Sequence, residues 1–169
     1  MAAETLKPLF GKVMTEIADA IFPNIPQPER YEQKDRCMET ETRYQFENEC
    51  RIGYPKVKET MAELAKNHRL FIVSNAQCGY PELCIEKLGL GDYIEGHMCF
   101  GATGKPKGQT LLALMARHGI QNAAYIGDTQ GASEAPLDAG IPFIFAAYGF
   151  GDPASFDAKI GSIEDLLTL

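Results

Sequence analysis

From Leu6 to Ile21 the apolar side chains Leu6, Leu9, Phe10, Val13, Ile17 and Ile21 recur at three- and four-residue steps. That spacing predicts one helix stripe over residues 4–22. The stretch "FPNIPQP" ends it, because prolines at 23, 26 and 28 cannot continue a helix. From Pro28 to Cys50 the chain is charge-laced, with Tyr31, Met38 and Phe46 as its inward residues, and Pro28 suits a first helical turn. The first fifty residues therefore read as a small helical unit.

After Tyr54-Pro55 the pattern changes. A helix carrying Val57, Met61 and Leu64 leads into the strand "LFIVSN", then a helix from Pro81 to Leu88 ended by Gly89. The strand "HMCFGA", a helix from Lys107 to His118, the strand "AAYIGD", a short helix stopped by Gly140 and the strand "PFIFAAY" follow. These strands are continuous apolar runs rather than in-out alternations, so both faces of their sheet are covered. The expectation is an α/β, three-layer, doubly wound parallel sheet over residues 54–169, preceded by a helical region over residues 1–53. In such a sheet ligands bind beyond the carboxyl ends of the strands. Ser74, Asn75, Ala102, Thr103, Asp128 and Tyr148 fall on that rim.

With 169 residues and 45% hydrophobic composition, the chain is long enough to bury a sizeable core. Its net charge of -7 repels a phosphate backbone, and no basic stripe offsets this, so nucleic acid is excluded as a partner. No apolar run nears the roughly 20 residues that span a bilayer, and the N-terminus lacks the features of a signal peptide, so the expected setting is cytoplasmic, without a membrane partner. The five cysteines, Cys37, Cys50, Cys78, Cys84 and Cys99, form no CxxC pair and no zinc spacing, and read as reduced structural thiols.

The rim carries chemistry that suits a phosphoryl group. Ser74 and neighbouring backbone N–H groups offer hydrogen bonds, Lys107 at a helix start offers positive charge, and Asp128 offers a hard oxygen to Mg²⁺. Lys105 is the alternative lysine, but it stands before Pro106 and outside the helix start. His68, His97 and His118 read as helix-end and strand-start residues without a catalytic task, and nothing in the sequence places a base for Cys78. Pro136 predicts that the last of these helices starts near Ser133, with Glu134 as a partner of its dipole.

In their order, "LFIVSNAQCGY", "TGKPKG" and "YIGDTQG…AGIPFIFAAYGFG" resemble the second, third and fourth motifs of haloacid dehalogenase-like phosphatases, in the phosphoglycolate phosphatase and β-phosphoglucomutase branch. The resemblance covers residues 54 to 160. It implies Ser74 as the phosphate-binding hydroxyl, Asn75 lining the site, Lys107 as the motif lysine with a catalytic and phosphate-binding role, and Asp128 as a magnesium ligand. It also implies a small phosphorylated metabolite as substrate, and makes residues 1–53 a partial helical cap. Two departures stand out. The nucleophilic Asp-x-Asp motif of that family occurs nowhere in the chain, and Ala132 and Ser133 stand where a further acid is usual.

The resemblance further places the strand that bears that motif between those ending at Ser74 and Gly127. Its lack predicts two unpaired edges in mid-sheet. The chain is therefore expected to be a truncated phosphatase of little or no activity with weak Mg²⁺ affinity. The alternative is a noncatalytic, degenerate relative that binds a phosphorylated ligand or a partner chain, including as a strand-exchanged homo-oligomer.

Overall fold

The structure, a computed structural model, describes residues 6–49 and 52–169; Cys50 and the first residues of the expected N-terminal helix lie outside them. The N-terminal stripe does not form one helix. A 3₁₀ turn, Lys7–Leu9, is followed by Gly11 at φ 84°, and helix α1 spans only Met14–Ile21. Gly11 breaks the stripe because its backbone packs against the Thr129 side chain, with no room for a Cβ, in a conformation that favours glycine.

Helix α2, Glu29–Glu47, packs against α1, and Arg30 ties the turn between them by bonding the Ile25 carbonyl and the Asp19 carboxylate. Its far end is bare. Phe46, expected inward, is 60% exposed, with Lys87 Nζ reaching its carbonyl oxygen at 2.9 Å.

Helix α3 (Val57–Leu64), strand β1 (Leu70–Ser74), helix α4 (Tyr80–Lys87) and strand β2 (Ile94–Cys99) follow. The strand predicted from His97 to Ala102 ends at Cys99, and Phe100–Thr103 forms a four-residue helix, α5. His97 therefore lies within the strand rather than at its start. Helix α6 spans Lys107–His118, bounded by Pro106 and the left-handed Gly119 as the sequence indicates. Strand β3 (Tyr125–Gly127), helix α7 (Gln130–Ala139), strand β4 (Phe143–Ala146), a strand β5 (Ala158–Ile160) that the sequence did not announce, and a 3₁₀ turn (Ile163–Thr168) complete the chain.

The start of α7 departs from expectation. The Thr129 side chain accepts the Ala132 N–H at 3.2 Å and caps the helix four residues before Ser133. Pro136 consequently sits, buried, in the helix interior, and Glu134 lies past the first turn.

The strands pair in parallel as β1–β2 and as β3–β4–β5, in two separate sheets. Their order in space is β2-β1, a gap, then β3-β4-β5. Among the described residues no strand pairs with the facing edges of β1 and β3. The side chain of Tyr125 reaches over the gap and donates its hydroxyl to the Val73 carbonyl at 3.4 Å.

Helices hold the halves together: α6 packs on β1 and β2, α7 on β3 and β4, and the two helices pack on each other. Leu111 and Leu114 of α6 and Ala132 and Ala135 of α7 are buried there. The approach is close enough that a Cβ at Gly108 would run into Asp138. Helix α4, between β1 and β2, packs on β2. This is the doubly wound α/β architecture expected, with its sheet split.

Candidate functional site

The gap opens at the carboxyl ends of β1 and β3. Residues 7–13 cross that opening, and besides the contact of Gly11 with Thr129 the crossing is held at two more points. Asn75, just past β1, donates Nδ2–H to the Gly11 carbonyl at 2.6 Å, and Phe10 packs on Phe150 with ring centroids 4.5 Å apart. Beside the crossing lies an open cleft of about 740 Å³. Asn75 from the first half-sheet, Lys107 at the start of α6, Thr129 and Gln130 at the start of α7, and Lys7 and Lys12 from the crossing segment line it.

Two helix N-termini thus face one cleft, and each presents unpaired N–H groups and the positive end of its dipole. Lys107 is half-buried, whereas Lys105 is exposed. Burial lowers the Lys107 pKa from that of an ordinary lysine, and the nearby Asp128 carboxylate opposes the shift. A partly desolvated ammonium beside helix N-termini is suited to hold an oxyanion.

Asp128 is placed by the loop after β4. The Phe150 N–H donates to Asp128 Oδ2 at 3.0 Å, and the Gly151 N–H to the Asp128 carbonyl at 2.9 Å. A Cβ at Gly149 would collide with the Asp128 carboxylate, so the loop closes on it only because glycine stands there. On the same rim, burial pushes the Tyr148 phenol up to about 12, with the Tyr54 and Asp128 charges adding to this. Tyr148 therefore stays neutral, edge-on to Tyr54 at 4.8 Å.

The structure brings Asn75 and Lys107 to one cleft and sets Asp128 near enough for its charge to act on Lys107. The Ser74 hydroxyl is turned to its own loop, where it accepts the Ala76 N–H at 3.1 Å, and neither Ser74 nor Asp128 lines the cleft. Sequence reasoning missed Lys7, Lys12, Thr129, Gly149 and Gly151. The glycines flanking Phe150 were the available signal; Lys7 and Lys12 gave none, because they lie on what reads as a helix.

The sequence resemblance implies Mg²⁺, and the donor set bears on whether this chain can hold it. Asp128 Oδ2 already accepts an N–H, and among the described residues no three His, Cys, Asp or Glu side chains stand close enough together to bind a metal. Magnesium is normally held by near-octahedral oxygens with a carboxylate or two and substrate phosphate. One carboxylate does not make that site.

The profile of haloacid dehalogenase-like hydrolases matches residues 1–146, and the chain belongs to that family. The split sheet with its rim cleft is a variant of its fold. Among solved structures, a predicted phosphoglycolate phosphatase from Haemophilus somnus is 20% identical, with a TM-score of 0.83 over 99% of this chain and 82% of that one. A predicted phosphatase from Clostridium acetobutylicum is 18% identical, with a TM-score of 0.81 over 99% and 83%. A haloacid dehalogenase-like hydrolase from Bacteroides fragilis is 19% identical, with a TM-score of 0.77 over 98% and 83%. At these identities the likeness is one of fold. No curated protein matches the chain.

Proposed function

We propose that this chain is a phosphate-binding member of the phosphatase group that holds a small phosphorylated metabolite in the rim cleft but turns it over little or not at all. The observation that carries this is the meeting of Lys107, Asn75 and two helix N-termini on one cleft beside the gap. Lys107 would neutralise phosphoryl oxygens, with Lys7 and Lys12 adding positive charge, and backbone N–H groups at the starts of α6 and α7 would donate to them. Asp128 would be the surviving metal-facing carboxylate, with weak Mg²⁺ affinity because its partners are missing. Hydrolysis through a phosphoaspartate needs an attacking carboxylate, and no Asp-x-Asp motif occurs in the sequence.

The test is hydrolysis of p-nitrophenyl phosphate by the purified chain, with and without Mg²⁺, beside Asp128→Asn. The expected result is no turnover above background in either protein. Metal-dependent turnover lost in Asp128→Asn would mean that another group attacks phosphorus, and would overturn the proposal.

A second, noncatalytic reading is favoured by the Asn75 side chain. Its Nδ2 is committed to Gly11, which fixes the amide orientation, and Oδ1 is buried without a partner among the described residues. A backbone N–H entering between β1 and β3 would satisfy that acceptor and pair the free edges, as in strand exchange between copies. Light scattering decides this: a concentration-dependent dimer supports it, and a monomer at all concentrations rejects it. The described cysteines are all free thiols, which supports a cytoplasmic setting. Among the described residues no helix is long and apolar enough to cross a membrane.

A further inference from the structure

Cys78 and Cys99 are far apart in sequence and meet at the ends of two paired strands. Cys99 closes β2 opposite Ser74, the last residue of β1. The loop leaving β1 then folds back over it: the Gly101 N–H donates to the Ala76 carbonyl at 3.1 Å, and a Cβ at Gly101 would stand 2.5 Å from the Cys78 amide nitrogen. The Cys78 thiol lies close enough to act on the ionisation of Cys99. Their environments differ. Cys99 is only 2% exposed, whereas Cys78 is exposed and opens onto a second cleft beside Met38, Arg43 and Phe46 of α2. Neither thiol takes part in the phosphate site described above.

We propose that Cys78 and Cys99 form a peroxide-sensitive dithiol, in which exposed Cys78 is oxidised first and buried Cys99 resolves it to a disulfide. The Cys78 sulfur attacks one oxygen of a hydroperoxide and the O–O bond breaks. The other oxygen leaves with the thiol proton as an alcohol or water, and Cys78 becomes a sulfenic acid. The Cys99 sulfur then attacks the Cys78 sulfur, the S–O bond breaks, and the hydroxyl leaves with the Cys99 proton as water. Two thiols lose two electrons and the peroxide gains them. The disulfide fastens the loop that carries Asn75 to the end of β2.

The order of attack follows from access. Burial raises the Cys99 thiol pKa and its neighbour Cys78 adds to this, so Cys99 stays protonated and shielded until a sulfenic acid forms beside it. Cys37 lies exposed on α2, and Cys84 is half-buried on α4. They serve as internal controls.

The experiment treats the native full-length chain with hydrogen peroxide, then alkylates it under denaturing, non-reducing conditions and maps the peptides by mass spectrometry. The expected result is a mass lower by two hydrogen atoms, loss of two alkylatable thiols, and one linked peptide pair joining Cys78 to Cys99. A Cys99→Ser chain is expected to stop at a dimedone-reactive sulfenic acid on Cys78, and Cys37→Ser to behave as the parent. The proposal is overturned if Cys78 passes to sulfinic acid in the parent while Cys99 remains alkylatable. It is equally overturned if the linked pair involves another cysteine, or if both thiols survive peroxide that oxidises the exposed Cys37.

Discussion

The two half-sheets of this molecule differ in how completely they are covered. In β3–β4–β5, Phe143, Phe145, Ala146 and Ile160 are buried, and Phe143 and Phe145 form a core cluster with Ala132 of α7. In β1–β2 only Cys99 is buried, and every residue of β1 is half-exposed although the run "LFIVS" is as apolar as any central strand. Composition therefore does not explain the difference. β1 reads as a central strand, yet among the described residues it pairs on one side only, with β2. The other half has a third strand and a helix of its own, and closes a core without help.

The comparison breaks most readily at its two ends. Phe145→Ala is expected to cost about 3–5 kcal/mol of unfolding free energy, as for a large side chain removed from a closed core. Val73→Ala in half-exposed β1 is expected to cost roughly half as much, since less apolar surface is withdrawn from water there. Urea unfolding of both variants checks this, and equal losses would mean that the halves share one core. Gly149→Ala comes next: the added methyl meets the Asp128 carboxylate, and the overpacking is expected to cost about 1–3 kcal/mol. Its thermal midpoint should fall, and the Phe150 amide should lose hydrogen-exchange protection.

Thr129→Ala removes the cap of α7 and is expected to cost about 1 kcal/mol. Tyr125→Phe is the smallest, at about 0.5 kcal/mol, because the long hydroxyl bond to Val73 is the one side-chain tie over the gap among the described residues. A much larger loss would show that Tyr125 couples the halves more tightly than α6 and α7 do.

How far the sequence was legible follows the same division. Helix α6 reads correctly to its ends because Pro106 and Gly119 are local signals that tertiary packing reinforces. Strand β1 reads correctly from its apolar run. The N-terminal helix did not, because Gly11 is held by Asn75 and Thr129, contacts distant in sequence that no periodicity encodes. Helix α7 starts early because a threonine cap outweighs a proline that looked like a first-turn residue. Strand β5 is three residues with a lysine at its centre, too short and too polar to announce itself. In the site, Lys107 and Asn75 were legible because each lies beside a strong element boundary. Lys7 and Lys12 were not, since they reach the cleft only through the broken helix.

The account rests on the claim that the cleft at the gap binds phosphate through Lys107. Calorimetric titration of the metal-free chain with inorganic phosphate at neutral pH tests it most directly, repeated with Lys107→Ala. The account predicts saturable binding at one site, at least tenfold weaker in Lys107→Ala, as loss of a charge-assisted contact would give. That affinity should fall as pH rises through the Lys107 pKa, at a pH below the ordinary 10.5, because only the cation holds the anion. Absence of binding by the parent chain, or equal affinity in Lys107→Ala, would contradict it.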